Sequence, residues 1–249
     1  MSKVTIPLRN DSEKAEVIFA RALAKLTARQ QAGRAIPFGA MNTDPGQPTV
    51  ADLQRFEAAI RRFDEENSRD PNLEIAEGVA RPRELVYAQR LTDWVLKLCP
   101  DASEALRLAA RCQHICRWTI RRDSYPPTRA GYLKWREELK RFHAEKAEGI
   151  LRELGYPEQI VARVQALNLK KEFPHDPESR VLEDALCLMF LQYQFAGLAA
   201  RTAEDKMINA LRKSWNKMTP SAHRQALELI YGPREKSLLD RALVQPPEA

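Results

Sequence analysis

The chain has 249 residues, of which 40 are basic and 34 acidic, and a formal net charge of +6. Its length can bury a substantial core, and its nine glycines are too few for a sheet with many hairpins. No apolar run could cross a bilayer and the first residues lack an apolar secretory signal, so the sequence predicts a cytoplasmic protein with no membrane span.

The N-terminal part is predicted to be separate from the rest. Residues 13–32 have the period of an amphipathic helix, and the segment after them contains three Gly and three Pro. We therefore divide the chain into an N-terminal helix with a Gly/Pro-rich linker, residues 1–48, and an all-helical domain, residues 49–249.

Residues 49–249 are predicted to form a series of helices. Thr49 and Asp52 have the spacing of a capping box before a helix that ends near Asn67, and residues 68–82 are predicted to be irregular. Eight more helices follow from apolar periodicity and capping signals at Asp101, Asp176, Thr202 and Thr219: about 82–99, 101–118, 129–154, 157–171, 177–200, 203–217, 220–231 and 233–243. The predicted fold is all-α, a compact multi-helix bundle around the apolar segment 185–200.

Two polar residues fall on a predicted apolar stripe of helix 129–154. Arg136 and His143 share this stripe with core-type residues, which are Tyr132, Leu139, Ala147, Ile150 and Leu154. One interpretation is a core histidine bonded to a carbonyl, with Arg136 reaching past it to solvent. The other is that both residues belong to a functional site.

Asp184 is a third polar residue in an apolar setting. It lies in line with Val181, Leu188 and Phe195 on helix 177–200 and is predicted to point inward. A buried carboxylate needs a cation, a metal or hydrogen-bond donors, and Arg136, His143 or a divalent ion would serve. The alternative is that Asp184 interacts with the positive end of its own helix.

Helix 101–118 carries polar residues on the side opposite its apolar face. This second stripe contains Arg107, Arg111, His114 and Trp118, so it is either covered by another helix or lines a cleft. From residue 117 to 141, Arg and Lys alternate with Tyr and Trp, as in sites that recognise phosphates and bases. An ordinary surface loop explains this mixture equally well, as a solvated surface explains the net charge.

Several signatures are absent from the sequence. It has no Walker-type or dinucleotide glycine loop, no HExxH, no GxSxG and no paired CxxC. The four cysteines are predicted to be buried free thiols. These absences argue against nucleotide-driven and classical serine-hydrolase chemistry.

Four segments together resemble a known family. They are RPRELVYAQRL, ALRLAARCQHICRW, RAGYLKWREELKRFHAEKAEGILRELGY and LEDALCLMFL. The chain resembles the uncharacterised family named domain of unknown function 4202 over roughly residues 50–245. This resemblance implies no activity.

A more distant resemblance is to the all-helical, metal-dependent phosphohydrolases named for a His-Asp ligand pair. AARCQHI looks like the segment with the pair, FHAEKAEGILRELGY like the segment with a later His, and LEDALCL like the segment with the last Asp. The resemblance places the pair on Gln113 and His114, the later His on His143 and the Asp on Asp184. Glu84 stands where an earlier His is expected.

The leading hypothesis is a metal-dependent hydrolase of a phosphorylated small molecule or nucleotide. His114, His143, Asp184 and Glu84 would hold a divalent zinc, manganese or iron ion. A phosphate clamp would be formed by Arg117, Arg136 and Lys140. The alternatives are a non-catalytic helical module that binds RNA or another phosphate-rich partner, and a structural protein that docks through residues 13–32.

Overall fold

The chain is described here from a computed structural model, which covers residues 49–244; the predicted helix 13–32 and its linker lie outside this range. The described part is mostly helical, which confirms the all-α class. In chain order its elements are α1 (Val50–Asn67), β1 (Leu73–Ala76), β2 (Val79–Pro82), α2 (Arg83–Leu98), α3 (Glu104–Cys112), α4 (Arg129–Glu153), α5 (Glu158–Leu169), α6 (Pro177–Met189), a π-helical turn (Phe190–Gln194), α7 (Phe195–Ala199), α8 (Glu204–Trp215), α9 (Pro220–Leu227) and α10 (Pro233–Leu243).

The predicted capping box at the start of α1 is present. The Thr49 side chain accepts a hydrogen bond from the Asp52 backbone at 3.1 Å, and the Asp52 carboxylate accepts one from the Thr49 backbone at 3.0 Å. These bonds satisfy backbone N–H groups that have no partner inside the helix. Asp176 and Thr219 also cap their helices as predicted, whereas α8 begins after Ala203 and does not use Thr202.

Residues 68–82 were predicted to be irregular, and this prediction is wrong. The segment contains an antiparallel hairpin in which Leu73 pairs with Pro82 and Ala76 with Val79. Its turn needs two residues with positive φ, which are Glu77 at 54° and Gly78 at 80°. Because glutamate rarely adopts this conformation, the sequence does not carry the usual hairpin signal.

Helix α3 is shorter than the predicted helix 101–118. It begins after Ser103 and ends at Cys112, and the chain then turns through Cys116, which has a φ of 52°. Asn67 holds this turn, because its side-chain oxygen accepts a hydrogen bond from the Cys116 backbone at 3.1 Å. His114 therefore lies outside the helix, and its predicted place on one stripe with Arg111 is wrong.

The observed start of α3, after Ser103, can be tested by mutation. Ser103→Ala should lower the free energy of unfolding by about 1 kcal/mol, because the serine hydroxyl accepts a hydrogen bond from the Leu106 backbone. Asp101→Ala, at the position predicted as the cap, should leave stability unchanged. Urea denaturation measures both, and a larger loss for Asp101→Ala would contradict the observed helix start.

The core forms around α6, as predicted from segment 185–200. Leu182, Leu188 and Met189 on this helix are fully buried, together with Phe63 from α1 and Leu91 from α2. The predicted helix 177–200 is, however, interrupted by the π-helical turn at Phe190–Gln194. Within residues 49–244, the helices are too short or too polar to span a bilayer.

Candidate functional site

A cavity of about 420 Å³ opens between α4, the end of α5, α6 and the turn after α3, and we call it the central pocket. Cationic side chains outnumber carboxylates in its wall, where only Glu137 and Glu183 are acidic among the described residues. The cationic residues are Arg117, Arg136, Lys140, Lys170 and Lys217. The three predicted phosphate-clamp residues are thus brought to one pocket, along with two lysines that the sequence did not single out.

His143 lies on α4 at the wall of this pocket and is 3% exposed, which confirms its predicted inward position. Its Nδ1 is 2.8 Å from the carbonyl oxygen of Ile115. A carbonyl can only accept, so Nδ1 carries the hydrogen and the neutral ring has its lone pair on Nε2. Nε2 is buried and has no hydrogen-bond partner within residues 49–244.

The environment keeps His143 uncharged. Burial, the neighbouring His114 and the positive charge of Arg117 lower the pKa of His143 to about 3, although the bond to Ile115 opposes them. At neutral pH the imidazole is therefore neutral, and its Nε2 lone pair is free to bind a ligand or accept a proton.

His114 joins the central pocket to the helix α2. Its ring stacks on Tyr87 with centroids 4.2 Å apart, and it lies 5.7 Å from the ring of His143. Its Nδ1 is 3.6 Å from a carboxylate oxygen of Glu84. Loss of hydration and the nearby positive charge of Arg117 hold the pKa of His114 well below its ordinary value.

Glu84 is a buried carboxyl in the first turn of α2. Asp70 positions this turn, because its carboxylate accepts a hydrogen bond from the Glu84 backbone at 3.0 Å. The Glu84 oxygen that faces His114 has no hydrogen-bond partner in the described part of the chain. Burial raises the pKa of Glu84 to about 7, and Arg117, 4.0 Å away, offsets only part of this effect.

We expect Glu84 to make the free energy of unfolding fall as the pH rises from about 4.5 to about 7. In this interval the folded chain retains a proton on Glu84, whereas the unfolded chain releases it. Glu84→Gln removes this titration, so its stability relative to wild type should increase by more than about 1 kcal/mol across the interval. Urea denaturation at a series of pH values measures this difference, and Glu65→Gln, at an exposed position, is the control. If the free energies of unfolding of wild type and Glu84→Gln change with pH in parallel, the prediction is contradicted.

Asp184 is buried as predicted, but its partners are not the predicted ones. Its two carboxylate oxygens accept hydrogen bonds from the backbone N–H of Thr219 at 2.9 Å and from the Thr219 hydroxyl at 2.6 Å. Neither Arg136 nor His143 satisfies it. Asp184 thus ties α6 to the start of α9, and it is absent from the wall of the central pocket.

The preceding residue, Glu183, lines the pocket instead. Its carboxylate pairs with Lys170 and, at 3.0 Å, with Lys217. These partners lower the pKa of Glu183 although burial opposes them. Glu183 was missed because a polar residue beside Asp184 gives no periodic signal of its own, and both lysines come from other elements.

The four predicted metal ligands are only partly brought together. Glu84, His114 and His143 are near one another, whereas Asp184 is engaged by Thr219. Across residues 49–244 no three His, Cys, Asp or Glu side chains are grouped closely enough to hold a metal ion. The donor set does not fit the predicted four-ligand ion, and a bound divalent ion stays a prediction.

Three arginines after α3 have partners within the described part of the chain. Arg121 pairs with Asp123, and Arg122 donates to the carbonyl oxygens of Tyr125 and Pro126 at 2.9 and 3.0 Å. Arg117 lies over the ring of Trp135 at 5.0 Å. These contacts hold the loop in place, so much of the pattern that predicted phosphate or base binding has a structural role.

The first turns of α4 do not have the predicted apolar stripe. Tyr132 and Arg136 were expected to face the core, but both are exposed, and Trp135 is buried in their place. The Trp135 indole donates to the carbonyl oxygen of Ile120 at 2.9 Å. Because this bond draws Trp135 toward the loop, the first turns of α4 present a different face from the later ones. Arg136 and Lys140 then reach the central pocket from its solvent side.

The fold and site define a mostly helical protein with a cationic pocket that contains two neutral histidines. Residues 57–239 match the family model described as Domain of unknown function (DUF4202), and the chain belongs to this family. No curated protein and no solved structure gives a significant match. The first predicted resemblance is therefore confirmed, and the likeness to the His-Asp phosphohydrolases stays a prediction.

Proposed function

We propose that the chain is a hydrolase that binds a phosphorylated small molecule or nucleotide in the central pocket. One observation carries this proposal. Five cationic side chains line a pocket whose wall includes His143, a neutral histidine whose buried Nε2 has no partner among the described residues. The resemblance of the segments around His114, His143 and Asp184 to the His-Asp phosphohydrolases supports the choice of hydrolysis.

The pocket suits a phosphate group by charge and by hydrogen bonding. The guanidinium groups of Arg117 and Arg136 can each donate two hydrogen bonds to phosphate oxygens, and Lys140, which pairs with Glu137 at 2.8 Å, adds a compact positive charge. Lys170 and Lys217 are paired with Glu183, and they add positive charge to the pocket wall. Bound phosphate would offset the mutual repulsion of these cations.

His143 supplies the proton acceptor for hydrolysis. Its Nε2 takes a proton from a water molecule as the water oxygen attacks phosphorus. The bond between phosphorus and the ester oxygen breaks on the opposite side, the leaving oxygen takes a proton from water, and Nε2 later returns its own proton to solvent. The bond to Ile115 fixes the tautomer that has its lone pair on Nε2, and burial keeps that nitrogen unprotonated before reaction. The negative charge of the bound phosphate raises the pKa of His143 toward the range a base needs.

Phosphate binding by the pocket should depend on its cations. We expect Arg136→Ala and Lys140→Ala each to weaken binding of inorganic phosphate by about 10-fold, since each removes a charged hydrogen bond. Isothermal titration calorimetry at fixed ionic strength measures this. Lys134→Ala is the matched control, because Lys134 is exposed on the same helix and outside the pocket. Equal affinity in all four proteins would contradict the proposal.

The rival function is a module that binds RNA through the Arg and aromatic residues after α3. The structure gives it less support, because Arg121 and Arg122 are held by Asp123 and by loop carbonyls. The wild-type protein is first tested for RNA binding. If it binds RNA, and if this binding is lost in the double variant Arg121→Ala, Arg122→Ala but kept in His143→Ala, the RNA-binding function is favoured.

A further inference from the structure

A second cavity, of about 510 Å³, lies beside the central pocket, and we call it the side cavity. The two cavities share three wall residues, His114, Arg117 and Phe190. The two cavities therefore adjoin at these three residues.

One wall of the side cavity is formed by residues of the π-helical turn Phe190–Gln194 and of α7. A π-helical turn holds one residue more than an α-helical turn, and such turns occur often at functional sites. Here Tyr193, Gln194 and Gly197 line the cavity, whereas Gln192 accepts a hydrogen bond from the Trp94 indole at 2.9 Å. The turn thus interrupts a core helix and presents an aromatic ring and an amide at this wall.

The wall residues suit a flat, polar ring. Tyr193 is 43% exposed although it is a large aromatic residue, and the guanidinium of Arg90 lies 4.1 Å from its ring. Phe190 lines both cavities, and the Gln194 amide offers a donor and an acceptor. A methyl group added at Gly197 would meet nothing within 4 Å, so the space above this backbone is open.

We propose that the side cavity holds the base of a nucleotide whose phosphate lies in the central pocket. This inference rests on the proposed function and narrows its substrate class. The base stacks on Tyr193, and its polar edge bonds to the Gln194 amide. The wall of the side cavity also has three arginines, Arg83, Arg117 and Arg201, beside Glu74 and Glu84, so the choice of a base over a second phosphate rests on the aromatic ring and the amide.

The test compares ligands that share a phosphate and differ in the base. Dissociation constants are measured by calorimetry for inorganic phosphate, ribose 5-phosphate and the 5′-monophosphates of adenosine, guanosine, cytidine and uridine. We expect at least one nucleotide to bind about 10-fold more tightly than ribose 5-phosphate, the range for one stacked base. Tyr193→Ala and Gln194→Ala should remove this preference and leave ribose 5-phosphate binding unchanged.

Gln192→Ala is the matched control, because Gln192 is on the same turn but is not part of the wall of the side cavity. It should keep the preference for the nucleotide. If phosphate binds but every nucleotide equals ribose 5-phosphate, or if a preference survives in both Tyr193→Ala and Gln194→Ala, the inference is overturned and the proposed function stands. If neither phosphate nor any of the other ligands binds, the proposed function fails and the inference fails with it.

Discussion

Replacing His143 by alanine should reduce hydrolysis of a phosphate ester by about 100-fold or more, because it removes the proton acceptor. The loss should appear in kcat, since phosphate is held by the cations and not by the imidazole. The assay is release of inorganic phosphate from a panel of sugar phosphates and 5′-nucleotides. Calorimetry with inorganic phosphate then shows whether the variant still binds.

Two further variants separate this loss from a folding defect. His143→Asn keeps a short polar side chain next to the Ile115 carbonyl but has no basic nitrogen, so it should fold and still be inactive. His175→Ala removes an exposed histidine and should have no effect. A folded His143→Asn protein with full activity would exclude His143 as the base.

Replacing Asp184 by alanine should lower the free energy of unfolding by about 3 kcal/mol, without removing any group from the pocket wall. The substitution leaves the backbone N–H and the hydroxyl of Thr219 without their acceptor where α9 begins. Urea denaturation measures the loss, and Asp101→Ala on the surface is the matched control.

A double-mutant cycle assigns this loss to the contact itself. Asp184→Ala and Thr219→Ala should be non-additive by about 1 to 3 kcal/mol, as expected for residues in one hydrogen-bond network. If the two losses simply add, the contact is not the cause. If a divalent ion copurifies with the wild type and is lost in a stable Asp184→Ala protein, the original assignment of Asp184 as a metal ligand is favoured.

Burial of individual residues on long helices could be predicted well. His143 and Asp184 are both inward, because an apolar stripe with a period of 3.6 residues identifies the face of a helix that is covered. Prediction was less reliable where other contacts override the period, as in the first turns of α4. There the exposed Arg136 and the buried Trp135 reverse the predicted stripe, because Trp135 bonds to a carbonyl in the preceding loop.

The partners of the buried polar residues could not be predicted. Asp184 bonds to Thr219, which is 35 residues later in the sequence, and His143 bonds to Ile115, which is 28 residues earlier. A periodic pattern specifies which face of a helix is covered, but it carries no information on which distant residue covers it. The hypothesis that Asp184 needs Arg136, His143 or a metal was chemically sound and still named the wrong partner.

Four features follow from the sequence itself: the helical class, the capping box at Thr49, the start of α6, and the inward faces of α6 and of the later turns of α4. The hairpin is also local, but its Glu-Gly turn lacks the usual signal. Only the tertiary structure decided the end of α3 at Cys112 and the assembly of the central pocket. The physical reason is the range of the forces involved. Capping hydrogen bonds and helical periodicity relate residues that are only a few positions apart in the sequence. The pocket depends on cationic side chains from separate elements, which come close to one another only when the core packs.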